Sequence, residues 1–189
     1  MLQCSGNKRF YFSLPCSREL KNVVKLKLFE KEDKNRIINI WKEKYKNEKY
    51  VIADYINIQK YELIKKNCKN NSHFIIPSKK QNGYINFYSQ FIDYKLVFVT
   101  PLEDYNKYRS NSMPYITLNF FDELKNKEII LTKLNIINNT ITKDQAKKIF
   151  NYIQFFYADF NNFQYVYKFN NDSRNFNYKA FFNKFQNMF

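Results

Sequence analysis

The chain has 189 residues, of which 44% are hydrophobic and 20% aromatic, and its formal net charge is +15. This length predicts one domain with a full hydrophobic core, and the apolar content excludes disorder along the whole chain. The longest apolar runs, such as residues 96–99, are too short to cross a bilayer, so no membrane span is expected.

The positive charge does not by itself indicate nucleic-acid binding. Among the basic residues 27 are Lys and only 5 are Arg, whereas nucleic-acid readers favour Arg for its bidentate hydrogen bonding. The abundant residue types, Lys, Asn, Ile, Phe and Tyr, have codons poor in G and C, so a nucleotide bias explains much of the charge. The charge still favours an acidic partner.

The N-terminus and the cysteines bear on the compartment. Residues 1–18 contain no acid and include Lys8, Arg9 and Arg18, which resembles a short mitochondrial presequence; a flexible basic N-terminus is the alternative, and both stay open. Residues 19–189 are then expected to form the single domain. Three cysteines without a C-x-x-C pair argue against a disulfide framework or a zinc module, and for a reducing compartment.

The first third of the chain predicts a helix, a strand and a helix. Apolar residues at helical spacing predict a helix over residues 30–47, with Asp33 as its N-cap. Residues 51–58 are β-rich and short enough for a strand, and residues 59–70 show helical spacing again.

The middle of the chain predicts several strands. Residues 73–77 read as a strand that Pro77 ends, followed by a polar turn over residues 78–83. Two β-rich runs, 84–92 and 95–99, are predicted to form a hairpin.

A helix should follow this hairpin. Thr100, Pro101 and Glu103 match a capping box with proline at the first helical position, and this predicts a helix to about Tyr108.

The last part predicts two further strands over residues 115–121 and 128–134. Thr142 and Gln145 form a second capping box that opens a helix to Tyr157. A strand over residues 164–169 and a helix over residues 178–187 complete the series. These elements favour a single α+β domain with a mainly antiparallel sheet flanked by helices.

The sequence offers no reaction centre. Glycine occurs only at positions 6 and 83, so neither phosphate-binding glycine motif can form. His73 is the only histidine, and with Cys68 it supplies two metal ligands at most. A structural role at a strand edge is expected for His73. We therefore expect no metal, no cofactor and no enzymatic activity.

The aromatic residues of one predicted strand leave an alternative open. Tyr84 and Tyr88 lie among Lys79, Lys80 and Lys95, and aromatics on a basic sheet can stack single-stranded bases. This makes a basic, aromatic-rich RNA- or DNA-binding module the alternative function. The favoured interpretation is that one face packs the core and a helix or a partner protein covers the other.

An ordered series of short motifs between His73 and Asn170 resembles the mitochondrial F-type ATP synthase assembly factors that chaperone the β subunit of the catalytic sector. It includes Phe-Ile-Ile-Pro at 74–77, Phe-Val-Thr at 98–100 and Asp-Glu-Leu at 122–124. The motif positions expected to be structural are Pro77, Gln90, Phe98, Thr100, Thr117, Glu123, Leu124 and Asn170.

The resemblance implies a chaperone of the mitochondrial matrix without catalytic activity. Such a protein would cover the apolar interface of the free β subunit until the α subunit replaces it. Aromatic residues in excess of what the core needs motivate a client-binding hypothesis for Tyr84, Tyr88, Tyr105, Pro114, Tyr115 and Phe121.

Overall fold

The computed structural model describes residues 15–80 and 83–188, and these form one domain around a six-stranded sheet. Every strand pair is antiparallel, and the strand order is β1-β6-β5-β4-β3-β2. The strands are β1 (Val51–Asn57), β2 (His73–Lys80), β3 (Gly83–Asp93), β4 (Leu96–Pro101), β5 (Ile116–Phe121) and β6 (Ile129–Ile136). The predicted α+β fold with a mainly antiparallel sheet is confirmed.

Seven α-helices pack on the two faces of this sheet within the described part of the chain. They are α1 (Leu26–Phe29), α2 (Lys34–Tyr45), α3 (Ile58–Cys68), α4 (Leu102–Tyr108), α5 (Lys143–Tyr157), α6 (Phe160–Asn171) and α7 (Tyr178–Phe185). No helix among residues 15–80 and 83–188 combines the length and the hydropathy that a membrane crossing requires. The predicted presequence lies largely outside the described residues, which begin at residue 15.

The main core lies between the first face of the sheet and helices α3, α5, α6 and α7. Strand alternation points Phe74 and Phe87 towards these helices, and both are fully buried. The Phe74 ring packs against Phe156 and Phe181 at centroid distances of 5.0 and 5.5 Å. Much of the aromatic content therefore fills this core.

A second core lies on the opposite face, at the β1–β6–β5 end of the sheet. Trp41 of α2 is fully buried there, packs edge-on against Phe121 at 5.5 Å, and donates from Nε1 to the Thr132 carbonyl at 3.0 Å. Asp33 caps α2 by accepting from the Arg36 amide at 3.0 Å, as predicted.

Pro77 does not end its strand, so that prediction is wrong. Strand β2 continues to Lys80, and Pro77 pairs with Asn86 of β3. Because β2 is the outermost strand of the sheet, proline's missing N–H can face away from the ladder. Only residues 81–82 of the predicted turn separate β2 from β3, and these lie outside the described residues.

The predicted capping box at Thr100 is also wrong. Thr100 and Pro101 belong to β4, and Thr100 pairs with Tyr88 across the sheet. Helix α4 begins at Leu102 without a side-chain cap, although it ends at Tyr108 as predicted. Pairing with a neighbouring strand overrides the local capping signal here.

The predicted strand over residues 164–169 is helical instead. Asp159 accepts a hydrogen bond from the Asn162 amide at 2.9 Å and thereby caps α6. The aromatic and β-branched composition suggested a strand, but Phe163, Val166 and Phe169 recur every three residues and pack on the main core as one helix face.

Candidate functional site

Cys68 and Ser89, which could act as nucleophiles, do not form a nucleophile–base pair with His73. Burial raises the pKa of Cys68 to about 12, so the thiol stays protonated at neutral pH. Cys68 Sγ donates to the Lys65 carbonyl at 3.5 Å, and Ser89 Oγ donates to the Phe74 carbonyl at 3.1 Å. Neither side chain is hydrogen-bonded to His73.

The acidic residues do not form a metal site in the described part of the chain, where no group of three or more His, Cys, Asp or Glu side chains is close enough to hold an ion. Asp122 forms ion pairs with Lys95 at 2.6 Å and Lys125 at 3.0 Å and is largely buried. Glu123 accepts from the Leu20 amide at 2.6 Å. Asp122 therefore links the end of β5 to the β3–β4 hairpin, and Glu123 links it to the N-terminal segment at Leu20.

The candidate residues of strands β3, β4 and β5 share the second face of the sheet. Opposite residues in a strand pair lie on the same face, and the register pairs Tyr88 with Thr100, Gln90 with Phe98, and Phe98 with Thr117. The candidates on this face include Tyr88, Gln90, Phe98, Thr100, Thr117 and Phe121.

Three stacked rings hold α4 over this face. The Tyr88 ring stacks with His73, at a centroid distance of 5.4 Å, and with Tyr105 of α4, at 4.0 Å. Burial and a hydrogen bond with Tyr105 raise the pKa of Tyr88, and burial lowers the pKa of His73. Asn170 holds His73 in place because its amide accepts from the His73 N–H at 3.2 Å and donates to the His73 carbonyl at 2.6 Å.

The connection from α4 to β5 presents apolar side chains to solvent. Tyr108 is 49% exposed, Met113 is 40% exposed, and Ile137 of the neighbouring connection is 45% exposed. The connection is anchored where it enters β5, since the Tyr115 amide donates to the Val99 carbonyl and the Ile137 amide donates to the Tyr115 carbonyl, both at 2.8 Å.

No sequence motif marks Tyr108, Met113 or Ile137. Their exposure depends on how the chain before β5 and the connection after β6 come together at Tyr115 after folding.

The remaining candidates differ in their exposure. Tyr84 is 44% exposed and lines a groove of about 250 Å³ with Leu102 and Asn106 of α4. Tyr115 is half-buried, and its hydrogen bond with Asp104 raises its pKa. Four are buried or nearly so: Pro77, Pro114, Phe121 and Leu124.

Comparison with known proteins adds one match. The family model described as ATP11 protein matches residues 13–182, which is most of the chain. No curated protein matches it.

Proposed function

Since the chain belongs to the ATP11 family of ATP synthase assembly chaperones, we propose that it binds the free β subunit of the catalytic sector. The family match over residues 13–182 is the observation that carries this proposal. The family consists of assembly chaperones rather than enzymes, and it implies a mitochondrial location. We place the chain in the matrix and propose that it has no catalytic activity of its own.

We propose that the chain acts by covering the apolar interface of the free β subunit. A β subunit without its α neighbour exposes an apolar interface, which favours aggregation. A stable protein–protein contact covers roughly 800 Å² on each partner. Arrival of α, which competes for the same surface of β, would release the chaperone without nucleotide hydrolysis.

We propose that the client-binding surface runs along α4 and the connection to β5. Its contacts are Tyr84, Tyr105, Tyr108, Met113 and Tyr115, because these present exposed or half-buried apolar area beside a connection that is anchored at Tyr115. Exposed aromatic residues on a rigid support are the usual anchors of such interfaces.

Two of the original candidates support this surface from beneath. Tyr88 stacks under Tyr105 at 4.0 Å, and the buried Pro114 fixes the chain before Tyr115. Phe121 is not included, since it is only 1% exposed and packs on Trp41 in the second core.

The test uses co-expression with the β subunit followed by gel filtration. The double variant Tyr108→Ala and Met113→Ser should reduce recovery of the soluble complex about tenfold or more, because solvent-exposed anchors are removed. Its Tm should stay within about 2 °C of the wild type, since surface changes have small effects on stability.

Tyr167→Ala is the matched control. Tyr167 is 54% exposed on α6, on the other side of the sheet. If the double variant and this control hold β equally well, the surface is wrong. If the wild type leaves β to precipitate as a lysine-rich control protein does, the function itself is wrong.

The geometry does not favour the nucleic-acid alternative. A base-stacking platform needs free ring faces, but the Tyr88 ring already stacks with both His73 and Tyr105. The Tyr84 ring packs edge-on against Phe182 at 4.8 Å. Tight oligonucleotide binding with a steep salt dependence, and no complex with β, would support the alternative.

A further inference from the structure

Two lysines converge on the ring of Tyr45 at the C-terminal end of α2. Lys133 Nζ lies 4.6 Å from the Tyr45 ring centroid and Lys44 Nζ lies 5.5 Å from it. Burial and the charge of Glu48 raise the pKa of Tyr45, and the charge of Arg18 opposes this rise. The charges of Arg18 and Glu48 also act on the pKa of Lys133, in opposite directions.

The half-buried Lys133 lacks the carboxylate partner that the partly buried Lys95 and Lys125 have. Among the ion pairs of the described residues, none includes Arg18, Lys44 or Lys133. Lys133 is half-buried on the second face of the sheet, and this burial, followed by the charges of Arg18 and Lys44, lowers its pKa. A half-buried ammonium without a carboxylate is costly to keep unless a ligand supplies the negative charge.

A second, independent observation points to a ligand at the same place. Asn119 of β5 pairs directly with Lys133 of β6, so their side chains leave the same face as close neighbours. Asn119 is 6% exposed, and its Oδ1 has no hydrogen-bond partner. Buried amide oxygens are usually hydrogen-bonded. The amide can present either its oxygen or its NH₂ group towards Lys133, because the two ends are interchangeable by rotation.

The geometry points to a binding site for one carboxylate side chain of the partner protein, formed by Lys133, Arg18 and Lys44 with Asn119. This inference rests on the proposed function and adds the chemistry by which the client is recognised. The ammonium and the guanidinium would donate to the carboxylate oxygens, and the Asn119 amide would donate a third hydrogen bond.

A carboxylate fits better than a nucleic-acid backbone. Lys133 and Lys44 meet at a single aromatic ring rather than along a line, whereas a phosphodiester chain needs positive charge at every few ångströms. Lys133 is also half-buried, so a side chain that projects from a protein surface can reach it more readily than a polymer backbone can.

The test measures the affinity of the purified full chain for the purified β subunit at low and moderate salt. Lys133→Met keeps the apolar stem and removes the charge, and it should weaken β binding about tenfold or more. Its Tm should not fall, because the variant no longer buries an unpaired charge. Lys133→Arg should restore most of the affinity, since it returns a donor to the site.

Lys148→Met is the matched control, since Lys148 is exposed on α5, which packs against the opposite face of the sheet. Equal affinities of the Lys133→Met and Lys148→Met variants would overturn the site while leaving the proposed function standing. If the Lys133→Met variant does not fold, the Arg18→Gln variant provides the test, because Arg18 is exposed. We expect this variant to bind β several-fold more weakly than the wild type. An unchanged affinity would contradict the site.

Two further outcomes separate the possibilities. A wild type that does not bind β overturns the proposed function and this inference with it. Binding of a single-stranded oligonucleotide as tight as that of β, and lost in the Lys133→Met variant, would show that the site takes phosphate instead.

Discussion

The side chain of Asp122 shows how burial and charge act at a single residue. It is 11% exposed, accepts from Lys95 and Lys125, and accepts weakly from the Tyr61 hydroxyl at 3.3 Å. Burial alone would raise the pKa of Asp122, but the hydrogen bonds and charges of the two lysines outweigh this and hold it below its ordinary value. The ion pairs join the β3–β4 hairpin to the end of β5.

We predict that Asp122→Asn lowers the free energy of unfolding by about 2–3 kcal/mol at pH 7. The change leaves the partly buried Lys95 without an ion-pair partner, and it leaves Lys125 with only the more exposed Glu62 at 3.5 Å. The lower pKa in the folded state means that the charged carboxylate stabilises the fold above its unfolded pKa, and that this stability is lost as the pH falls through the folded pKa. Urea unfolding over a series of pH values from 7 to 3 should therefore give a constant difference in the free energy of unfolding between wild type and variant down to about pH 4. Below that pH the difference should shrink.

The control for this prediction is Glu43→Gln. Glu43 pairs with Lys46 at 3.2 Å, but both side chains are about two-thirds exposed. An exposed ion pair of this kind contributes little to stability, so Glu43→Gln should leave the free energy of unfolding almost unchanged. An equal decrease in the free energy of unfolding for both variants would contradict the role assigned to the burial of Asp122.

At the candidate site, the sequence identified residues but not their neighbours. Tyr105 and Tyr115 were chosen because the aromatic residues exceed what the core needs, and both belong to the proposed surface. The stacking of Tyr88 with His73 and Tyr105 depends on residues 15 or more positions away in the chain. Such contacts follow from strand register, which local patterns do not specify.

At the scale of elements, helix α5 begins where its capping signal predicted. The Thr142 hydroxyl accepts from the Gln145 amide and the Gln145 side chain accepts from the Thr142 amide, both at 3.2 Å. We predict that Thr142→Ala lowers the free energy of unfolding by about 1 kcal/mol. Thr140→Ala is the control, since it removes a hydroxyl that donates to Asn138 in the turn before the helix. In denaturant titrations it should lower the free energy of unfolding clearly less than Thr142→Ala does.

The residue that follows helix α4, Arg109, has a strained backbone. Arg109 has φ 52° and ψ −128°, a conformation that favours glycine. We predict that Arg109→Gly raises the free energy of unfolding by about 1 kcal/mol, the relieved strain exceeding the added flexibility of the unfolded chain. Arg109→Ala keeps a Cβ atom and should give no such gain; equal thermal midpoints for the two variants would argue against strain at this position.

Local signals predicted most elements, and the failures share a cause. Asp33 and the Thr142–Gln145 box act within one turn of their helices, so the sequence alone was sufficient. Pro77 and Thr100 were misread because their environment is a neighbouring strand, which overrides the local preference. The error at residues 164–169 came from weighing aromatic composition above helical period.

At the scale of the whole molecule, the sheet joins the two cores. In β5 the adjacent Phe120 and Phe121 point to opposite faces, and in β6 Ile130 and Ile129 do the same. Each of these strands therefore contributes to both cores at once. Loss of packing on one face removes support from strands that the other face needs, so the domain should unfold in one step.

Ile37→Ala tests this coupling. Ile37 is fully buried in the second core, and the truncation should lower the free energy of unfolding by about 2–4 kcal/mol. Far-UV circular dichroism reports the helices, most of which lie on the main core, while the fluorescence of the single tryptophan, Trp41, reports the second core. Both probes should shift together to the same lower urea midpoint, because β5 and β6 transmit the loss across the sheet. Separate midpoints, with the tryptophan signal changing first, would show that α2 and its neighbours unfold independently of the main core.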